Sequence, residues 1–261
     1  MNLSLTGKNA LICGGSRGIG LAIAKELALL GANCTIVARA EKSLSESVLH
    51  LDIALRQTHK TMLLYLCDTD AVKVAIAEHV ANEPVHILVN NSGGPPAGPI
   101  TEAEPEIFEK YFKQHIISSQ IMVQACLPGM KEAGYGRIIN VVSTSVRIPI
   151  QNLGVSNTIR GAVASWAKSL SNEVAEFGIT VNNILPGYTK TERLDILMAH
   201  IADKRKVLLE DVEKEMMLEI PVRRFGEAEE IAALAAFMAT PAAAYLNGTS
   251  VPVDGGRTGS I

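Results

Sequence analysis

The stretch Cys13-Gly14-Gly15-Ser16-Arg17-Gly18-Ile19-Gly20 joins a short apolar run, Ala10–Cys13, to an amphipathic stretch that begins at Gly18. Glycines allow the backbone to turn tightly and to approach a ligand closely. A helix that begins there presents unpaired N–H groups and the positive end of its dipole to an anion. Because the glycines lie at a strand-to-helix junction, we predict a dinucleotide-binding loop; the alternative is a simple tight turn.

Outside this loop, short apolar runs alternate with longer amphipathic stretches. Continuous apolar runs are typical of strands that are buried on both faces, so the alternation predicts an α/β fold with a parallel sheet between two helical layers. The predicted strands are Ala10–Cys13, Cys34–Ala38, Met62–Cys67, Val85–Val89, Arg137–Val142, Thr180–Leu185 and Thr249–Val253. The predicted helices are Gly18–Leu30, Lys42–Arg56, Ala71–Ala81, Pro105–Lys131, Ser156–Glu176 and Glu227–Met238.

Composition narrows the class of protein. The 261 residues are 48% hydrophobic with a net charge of −3, which gives neither the basic surface of a nucleic-acid binder nor an apolar run that could cross a membrane. Cys13, Cys34, Cys67 and Cys126 lie far apart in apolar runs, so we expect reduced core thiols in a cytoplasmic protein, and no metal-ligand spacing is visible. We predict a single domain, residues 1–261.

The segment 189–224 departs from the alternation of strand and helix. It is charged, rich in methionine and partly helical, and it precedes the last predicted helix and strand. Such an inserted segment is a candidate substrate lid. The alternative is a surface excursion without a function of its own.

The end of the second predicted strand bears on cofactor choice. NAD-binding domains usually place an acidic residue there for the ribose 2′-hydroxyl, whereas this strand ends Val37-Ala38-Arg39. Arg17 and Arg39 can bracket a 2′-phosphate with charge-assisted bonds, so we predict NADP (NADPH); the alternative is two solvated arginines. Asp68 either accepts a bond from adenine or caps the next helix.

Three further groups of residues follow in order along nearly the whole chain. They are Asn90-Asn91-Ser92-Gly93, then Pro186-Gly187 with Thr189 and Thr191, then a tail that runs from Pro221–Gly226 through Asn247-Gly248 to Asp254-Gly255-Gly256. Together with the glycine loop, they make the chain resemble the single-domain short-chain dehydrogenase/reductase family, and in particular bacterial 3-oxoacyl-carrier-protein reductases.

The resemblance implies a doubly wound Rossmann fold of about seven parallel strands. It also implies hydride transfer between NAD(P) and a small-molecule carbonyl or alcohol, and a homo-oligomer, with a tetramer favoured. By matching position, the residues expected to bind the cofactor are Gly14, Ser16, Arg17, Gly18, Ile19, Gly20, Arg39, Asp68, Asn90, Gly93, Arg160, Pro186, Gly187, Thr189 and Thr191.

The sequence departs from the family at its catalytic tetrad of Asn, Ser, Tyr and Lys. The residues four positions after the five tyrosines are Thr69, His115, Ile139, Glu192 and Thr249, so no Tyr-x-x-x-Lys is present. Alignment by neighbouring motifs retains the serine as Ser143. It places Ser156 at the tyrosine position, Arg160 at the lysine position and His115 at the asparagine position.

These replacements change the available proton chemistry. A serine hydroxyl is a weaker acid than a tyrosine and is shorter, so a water is needed to fill the gap beside Ser156. Arg160 can bind ribose hydroxyls but cannot lose a proton. His115 either packs in its helix at a subunit contact, the interpretation we favour, or titrates near neutral pH and relays a proton through water. Arg147 either faces the substrate or is an exposed loop cation.

Three functions remain open at this stage. The first is an NADPH-dependent reductase of a ketone, with a 3-oxoacyl thioester as one candidate, that uses a non-standard proton donor. The second is an NADP-binding protein without reductase activity, either a partner subunit or a nucleotide-responsive regulator. The third is another reaction on the same scaffold, which ranks last because no replacement base is visible. We expect the first.

Overall fold

The computed structural model describes residues 1–260, so Ile261, the last residue of the predicted domain, lies outside the described residues. Seven strands form one parallel sheet in the order β3-β2-β1-β4-β5-β6-β7. The strands are β1 Asn9–Cys13, β2 Asn33–Ala38, β3 Lys60–Leu63, β4 Ile87–Asn90, β5 Gly136–Val141, β6 Ile179–Pro186 and β7 Ser250–Val253. The predicted doubly wound Rossmann fold is confirmed.

Nine α-helices connect and cover these strands within the described residues. They are α1 Gly18–Leu29, α2 Glu41–Val48, α3 Thr69–Asn82, α4 Pro105–Phe112, α5 Ser118–Glu132, α6 Gly154–Val174, α7 Glu192–Arg205, α8 Leu209–Leu218 and α9 Ala228–Ala239. Buried side chains of α1 and α9 pack on one face of the sheet, and those of α3, α5 and α6 pack on the other. Two apolar layers therefore enclose the central strands, as the continuous apolar runs predict.

Two predicted boundaries are wrong for identifiable reasons. The third strand is Lys60–Leu63 rather than Met62–Cys67, because at this sheet edge one face is solvated and the apolar run Leu64–Leu66 turns away from the sheet. The second helix ends at Val48 rather than Arg56. There the Asp52 carboxylate accepts the N–H of Ala54, a local turn that competes with helix.

The long helix predicted as Pro105–Lys131 is interrupted. A π-helical turn, Lys113–Ile117, separates α4 from α5 and contains His115. Such turns are uncommon and are frequent at functional sites.

A row of polar side chains crosses the sheet from the carboxyl end of β4 to the first residue of β7. Asn90 donates to Asn140 at 2.9 Å, Asn140 donates to Asn183 at 2.9 Å, and Asn183 donates to Ser250 at 3.0 Å. The four residues are direct partners in the registers of β4, β5, β6 and β7. Because Asn140 and Asn183 are buried, these bonds satisfy groups that water does not reach.

The cysteines are all free thiols, and the prediction that all four lie in the core is wrong for one. Cys13, Cys34 and Cys126 are buried, and burial raises the pKa of each thiol to about 12. Cys67 is only partly buried because it follows the edge strand, and its thiol lies 3.1 Å from Oε1 of Gln114.

We predict that Asn140→Ala lowers the free energy of unfolding by about 1–3 kcal/mol, because the part-buried Asn90 amide loses its acceptor and the buried Asn183 oxygen loses its donor. Denaturant titration of the purified protein measures the change. The control is Asn82→Ala, which removes an exposed amide on α3 and is expected to change stability by less than about 0.5 kcal/mol. Equal effects of the two substitutions would contradict a stabilising role for the row.

Candidate active site

The glycine loop lies at the carboxyl edge of the sheet, where the strand order reverses between β1 and β4. This is the position at which open α/β sheets bind ligands. Gly14 has a φ of +60°, and a Cβ there would lie 2.7 Å from the carbonyl oxygen of Asn91. A Cβ on Gly20 would lie 2.2 Å from the carbonyl oxygen of Gly14. The loop conformation therefore requires glycine at both positions.

The Asn91 side chain holds this loop against the end of β4. Its Nδ2 donates to the carbonyl oxygens of Cys13 at 3.3 Å and Gly14 at 3.2 Å. Asn91 belongs to the Asn90-Asn91-Ser92-Gly93 motif, but the sequence predicts no role for it. The structure shows that it fixes the loop from the neighbouring strand.

The N-terminus of α1 is suited to an anion. Its first-turn N–H groups have no helical acceptors, no side chain caps it, and its first turn holds no acid. The Arg17 guanidinium, just before the helix, hydrogen-bonds to the Glu192 carboxylate of α7, and both side chains are exposed. The residues present therefore fit a dinucleotide pyrophosphate, with Ser16, Gly18 and Ile19 at the turn.

The residues predicted to choose the cofactor lie on the same side of the sheet. Arg39 is exposed immediately after β2, and Ser43 Oγ in the next helix lies 3.4 Å from Ser16 Oγ. Asp68 lies beyond β3 rather than at its end, because β3 ends at Leu63. Its carboxylate caps α3 by accepting the N–H of Ala71 at 3.0 Å. The capping alternative for Asp68 is thus observed, and its adenine contact stays a prediction.

A small polar cavity opens beyond the ends of β4 and β5. It brings together three predicted site residues, Asn90, His115 and Arg160, whereas Ser143 and Ser156 do not line it. The lining residues are Cys13, Leu66, Asn90, Asn91, Ser92, Gln114, His115, Ser118, Ser119, Met122, Asn140, Val141, Arg160 and Val163. The Asn90 amide is engaged in the row of amides across the sheet.

His115 is buried beneath this cavity. Nδ1 lies 3.1 Å from Ser92 Oγ and Nε2 lies 3.2 Å from the carbonyl oxygen of Gly93. Burial lowers the pKa of His115 well below 6.5, and the Arg160 cation lowers it further. This lowered pKa runs against titration near neutral pH. The π-helical turn directs the ring into the protein, and both the proton relay and the subunit contact stay predictions.

Arg160 is buried one turn after Ser156 on α6. Its Nη1 donates to the carbonyl oxygen of Val141 at 3.0 Å, and its Nε has no partner within residues 1–260. Burial, and to a smaller extent the charge of Arg193, lower the pKa of Arg160 to about 10. At neutral pH the residue is therefore a buried cation.

Ser143 and Ser156 lie on the two elements that follow β5. Ser143 begins a 3-10 turn, and its Oγ accepts the N–H of Ser145 at 3.1 Å, which leaves its own proton free to donate. Ser156 is buried in the first turn of α6. The loop between them is tied down by Asn157, whose amide donates to the carbonyl oxygen of Ile150 at 2.9 Å. Arg147 is exposed, and its Nη2 donates to the carbonyl oxygen of Ser250.

The segment after β6 begins beside the glycine loop. Pro186 ends β6, and a Cβ on Gly187 would clash with Asp254. Thr189 is buried and bridges to Gly226, and the Thr191 side chain would contact a Cβ on Gly18 at 3.4 Å. Helices α7 and α8 then pack on each other around an apolar cluster of their own. The lid assignment of 189–224 stays a prediction.

Sequence reasoning missed Ser92, Gly94 and Arg193. Ser92 was recognisable from the sequence, since it lies within the motif Asn90-Asn91-Ser92-Gly93. Gly94 and Arg193 had no such signal, because they are 99 positions apart in sequence and meet only through the position of α7.

The described residues were also compared with the requirements of a metal site and of a membrane-spanning helix. Residues 1–260 contain no group of three or more His, Cys, Asp or Glu side chains arranged to hold a metal ion. Over the same residues, no helix is both long enough and apolar enough to cross a membrane.

The chain is similar over nearly its whole length to known oxidoreductases. A family model described as enoyl-(acyl carrier protein) reductase matches residues 14–258. A 3-oxoacyl-acyl-carrier-protein reductase of Vibrio cholerae is 32% identical over 258 residues, 97% of this chain and 98% of the relative. A tropinone reductase homologue of Arabidopsis thaliana is 31% identical over 260 residues, 98% of this chain and 91% of the relative.

Two solved structures share the fold closely. The L-sorbose reductase of Gluconobacter frateurii, solved with NADPH and L-sorbose, has a TM-score of 0.93 at 28% identity and covers 100% of both chains. A putative 2-deoxy-D-gluconate 3-dehydrogenase of Agrobacterium tumefaciens, solved with bound NADP, has a TM-score of 0.85 at 27% identity and covers 99% of both chains.

We predict that His115 makes the protein acid-sensitive. Its pKa is lowered in the folded state, so the unfolded chain binds a proton first as the pH falls below 6.5, and stability decreases there. His115→Gln is expected to flatten this dependence between about pH 7 and pH 5, whereas His50→Gln, at an exposed site, leaves it unchanged. Unfolding free energies measured across that range test this, and parallel profiles for all three proteins would contradict it.

Proposed function

This chain belongs to the short-chain dehydrogenase/reductase family, and we propose that it is an NADPH-dependent oxidoreductase that reduces a ketone. The observation that carries the proposal is the preformed anion site at the switch point of the sheet. There, two glycines that admit no Cβ meet a helix N-terminus without a side-chain cap. A glycine loop of this shape before an uncapped helix N-terminus suits the pyrophosphate of a dinucleotide.

The preference for NADPH is supported by charge and by the neighbours. Arg39 stands where NAD-binding domains place an acid, and Arg17 lies within the glycine loop. Arg17 is bound to Glu192, but such an exposed ion pair is weak enough to exchange for a phosphate. The solved L-sorbose reductase contains NADPH.

We predict that NADPH binds about tenfold or more tightly than NADH, and that Arg39→Asp removes this difference, because a charge-assisted bond to the 2′-phosphate is lost. Cofactor fluorescence titration measures both affinities. Arg56→Asp is the control, since this exposed arginine lies beyond α2 and is expected to change neither affinity. Tighter binding of NADH by the unaltered protein would overturn the assignment of NADP.

NADPH, when bound, supplies the hydride for the carbonyl carbon. We assign to Ser143 the hydrogen bond to the carbonyl oxygen, because its hydroxyl accepts from Ser145 and retains a proton to donate. A water held by Ser156 passes a proton from bulk solvent to this oxygen, which becomes the alcohol hydroxyl, so that no hydroxide remains at the site. Burial lowers the pKa of His115, which positions Ser92 and Gly93, while Arg160 stays charged, moves no proton and keeps donors free for an oxygen ligand.

The segment 189–224 is proposed to cover the substrate. Thr191 adjoins Gly18 in the glycine loop, and Arg193 adjoins Gly94 at the end of β4. The first turn of α7 thus contacts both sides of the proposed cofactor site. The apolar core shared by α7 and α8 allows the pair to move as one unit.

The proposed homo-oligomer rests on the resemblance and on one surface feature. An apolar groove runs between α4 and α6, lined by Phe108, Phe112, Ile117, Ile159 and Ala162. Phe112 is 43% exposed there. A second copy of the chain would remove this surface from water.

The alternative is an NADP-binding protein without reductase activity, favoured by the absence of the family's Tyr and Lys. NADPH consumption with acetoacetyl N-acetylcysteamine thioester and a panel of small ketones decides between the two. Turnover by the unaltered protein supports the reductase. Bound NADPH without turnover, together with strong activity of the Ser156→Tyr, Arg160→Lys double variant, supports the alternative.

If the protein is a reductase, Ser143→Ala is expected to lower kcat/KM by about 10²–10³, the usual consequence of losing one preorganised donor to the reacting oxygen. Ser169→Ala, an exposed hydroxyl on α6, is the control and is expected to leave the rate unchanged. Steady-state NADPH oxidation measures both. Unchanged kcat/KM in Ser143→Ala would remove this serine from the mechanism.

A further inference from the structure

Two arginines from distant parts of the chain meet at Gly94. A Cβ built on Gly94 would lie 2.8 Å from Nη2 and 3.0 Å from Nη1 of Arg193, and 3.1 Å from Nη2 of Arg160. Arg160 comes from α6 and Arg193 from the first turn of α7. Both guanidinium groups therefore approach the same small residue in the loop after β4.

No acid balances these two charges. Neither arginine is in any of the seven ion pairs found within residues 1–260. Each lies close enough to His115 to lower its pKa, and the charge of Arg193 also lowers the pKa of Arg160. Adjacent like charges destabilise each other, so this arrangement is unfavourable until an anion enters.

Arg160 is also incompletely satisfied. Arg160 is only 8% exposed, and its Nε has no hydrogen-bond partner in the described part of the chain. Only Nη1 is bonded within the protein, to the carbonyl oxygen of Val141. A buried guanidinium with an orphaned donor commonly indicates a ligand that completes it.

We propose that Arg160 and Arg193 bind the ionised carboxylate of a small oxo acid, the ketone of which is the group reduced. This inference rests on the proposed function and names its substrate class. Guanidinium groups match carboxylates in a planar, bidentate geometry, which sets both affinity and orientation. Substrate capture then uses Arg193 from the candidate lid and Arg160 from the base of the site.

The cofactor's phosphates have other sites in the fold. The pyrophosphate position is the N-terminus of α1, and the 2′-phosphate position is beside Arg39. The Arg160–Arg193 pair lies instead at the loop after β4, in contact with the residues around His115. A neutral thioester next to the ketone offers no charge to this pair, so the inference favours a free oxo acid over a 3-oxoacyl thioester.

The test compares acids with their neutral methyl esters, which keep the same ketone. Isothermal calorimetry of the protein–NADP⁺ complex measures the binding of acetoacetate, pyruvate and levulinate and of the three esters, without any need for turnover. At least one acid is expected to bind about tenfold or more tightly than its ester, the usual contribution of a charge-assisted pair.

Variants of Arg193 test whether this residue causes the preference for the acid over its ester. Arg193→Gln is expected to abolish the preference for the acid, and Arg193→Lys to retain part of it. Lys204→Gln removes a cation from the exposed end of α7 and is expected to retain all of it. The inference is overturned if no acid binds, if every acid binds no more tightly than its ester, if the acetoacetyl N-acetylcysteamine thioester binds as tightly as the preferred acid, or if Arg193→Gln keeps the preference.

The proposed reductase activity is tested by a different measurement, the oxidation of NADPH. Absence of NADPH oxidation with every ketone removes the reductase activity but leaves the calorimetric preference for acids intact. Loss of that preference alone removes the carboxylate site and leaves reduction of neutral ketones in place.

Discussion

Side-chain amides at the carboxyl edge of the sheet hold the site in place. Asn90, at the carboxyl end of β4, begins a row in which Asn140, Asn183 and Ser250 bond in sequence across the next three strands. Asn91 extends the same edge to the glycine loop. Since each bond requires correct strand register, a stable sheet and a correctly placed cofactor loop depend on the same interactions.

The positive charge of the site is its most unusual property. A lysine at the position of Arg160 can lose its proton or change its hydration when buried, whereas arginine stays charged and presents a rigid plane of donors. The fold accommodates that cation with one carbonyl oxygen and leaves part of it unsatisfied. A second cation, Arg193, stands beside it. Burial, and to a smaller extent these two charges, lower the pKa of His115, so the loss of Tyr and Lys is accompanied by a change in the electrostatics of the pocket.

Most of the fold was predictable because its signals are local. Apolar runs of strand length and a glycine loop at the first strand-to-helix junction identify a parallel sheet and its ligand-binding edge. The two wrong boundaries belong to the strand Lys60–Leu63, which is exposed to solvent, and to the helix that ends at Val48, where a local side-chain turn competes with the helix. The π-helical turn around His115 had no sequence signal, because a one-residue change in hydrogen bonding leaves the apolar pattern almost unaltered.

The sequence by itself determined the family, the glycine loop, the positions of Ser143, Ser156 and Arg160, and the absence of Tyr-x-x-x-Lys. These depend on residue types at short spacings, which can be read without coordinates. Only the tertiary structure decided that His115 is buried and neutral, that Asn91 fixes the loop, and that Arg193 faces Arg160 across Gly94. Burial and charge proximity arise when distant segments pack together, and α6 and α7 meet the loop after β4 only in the folded chain.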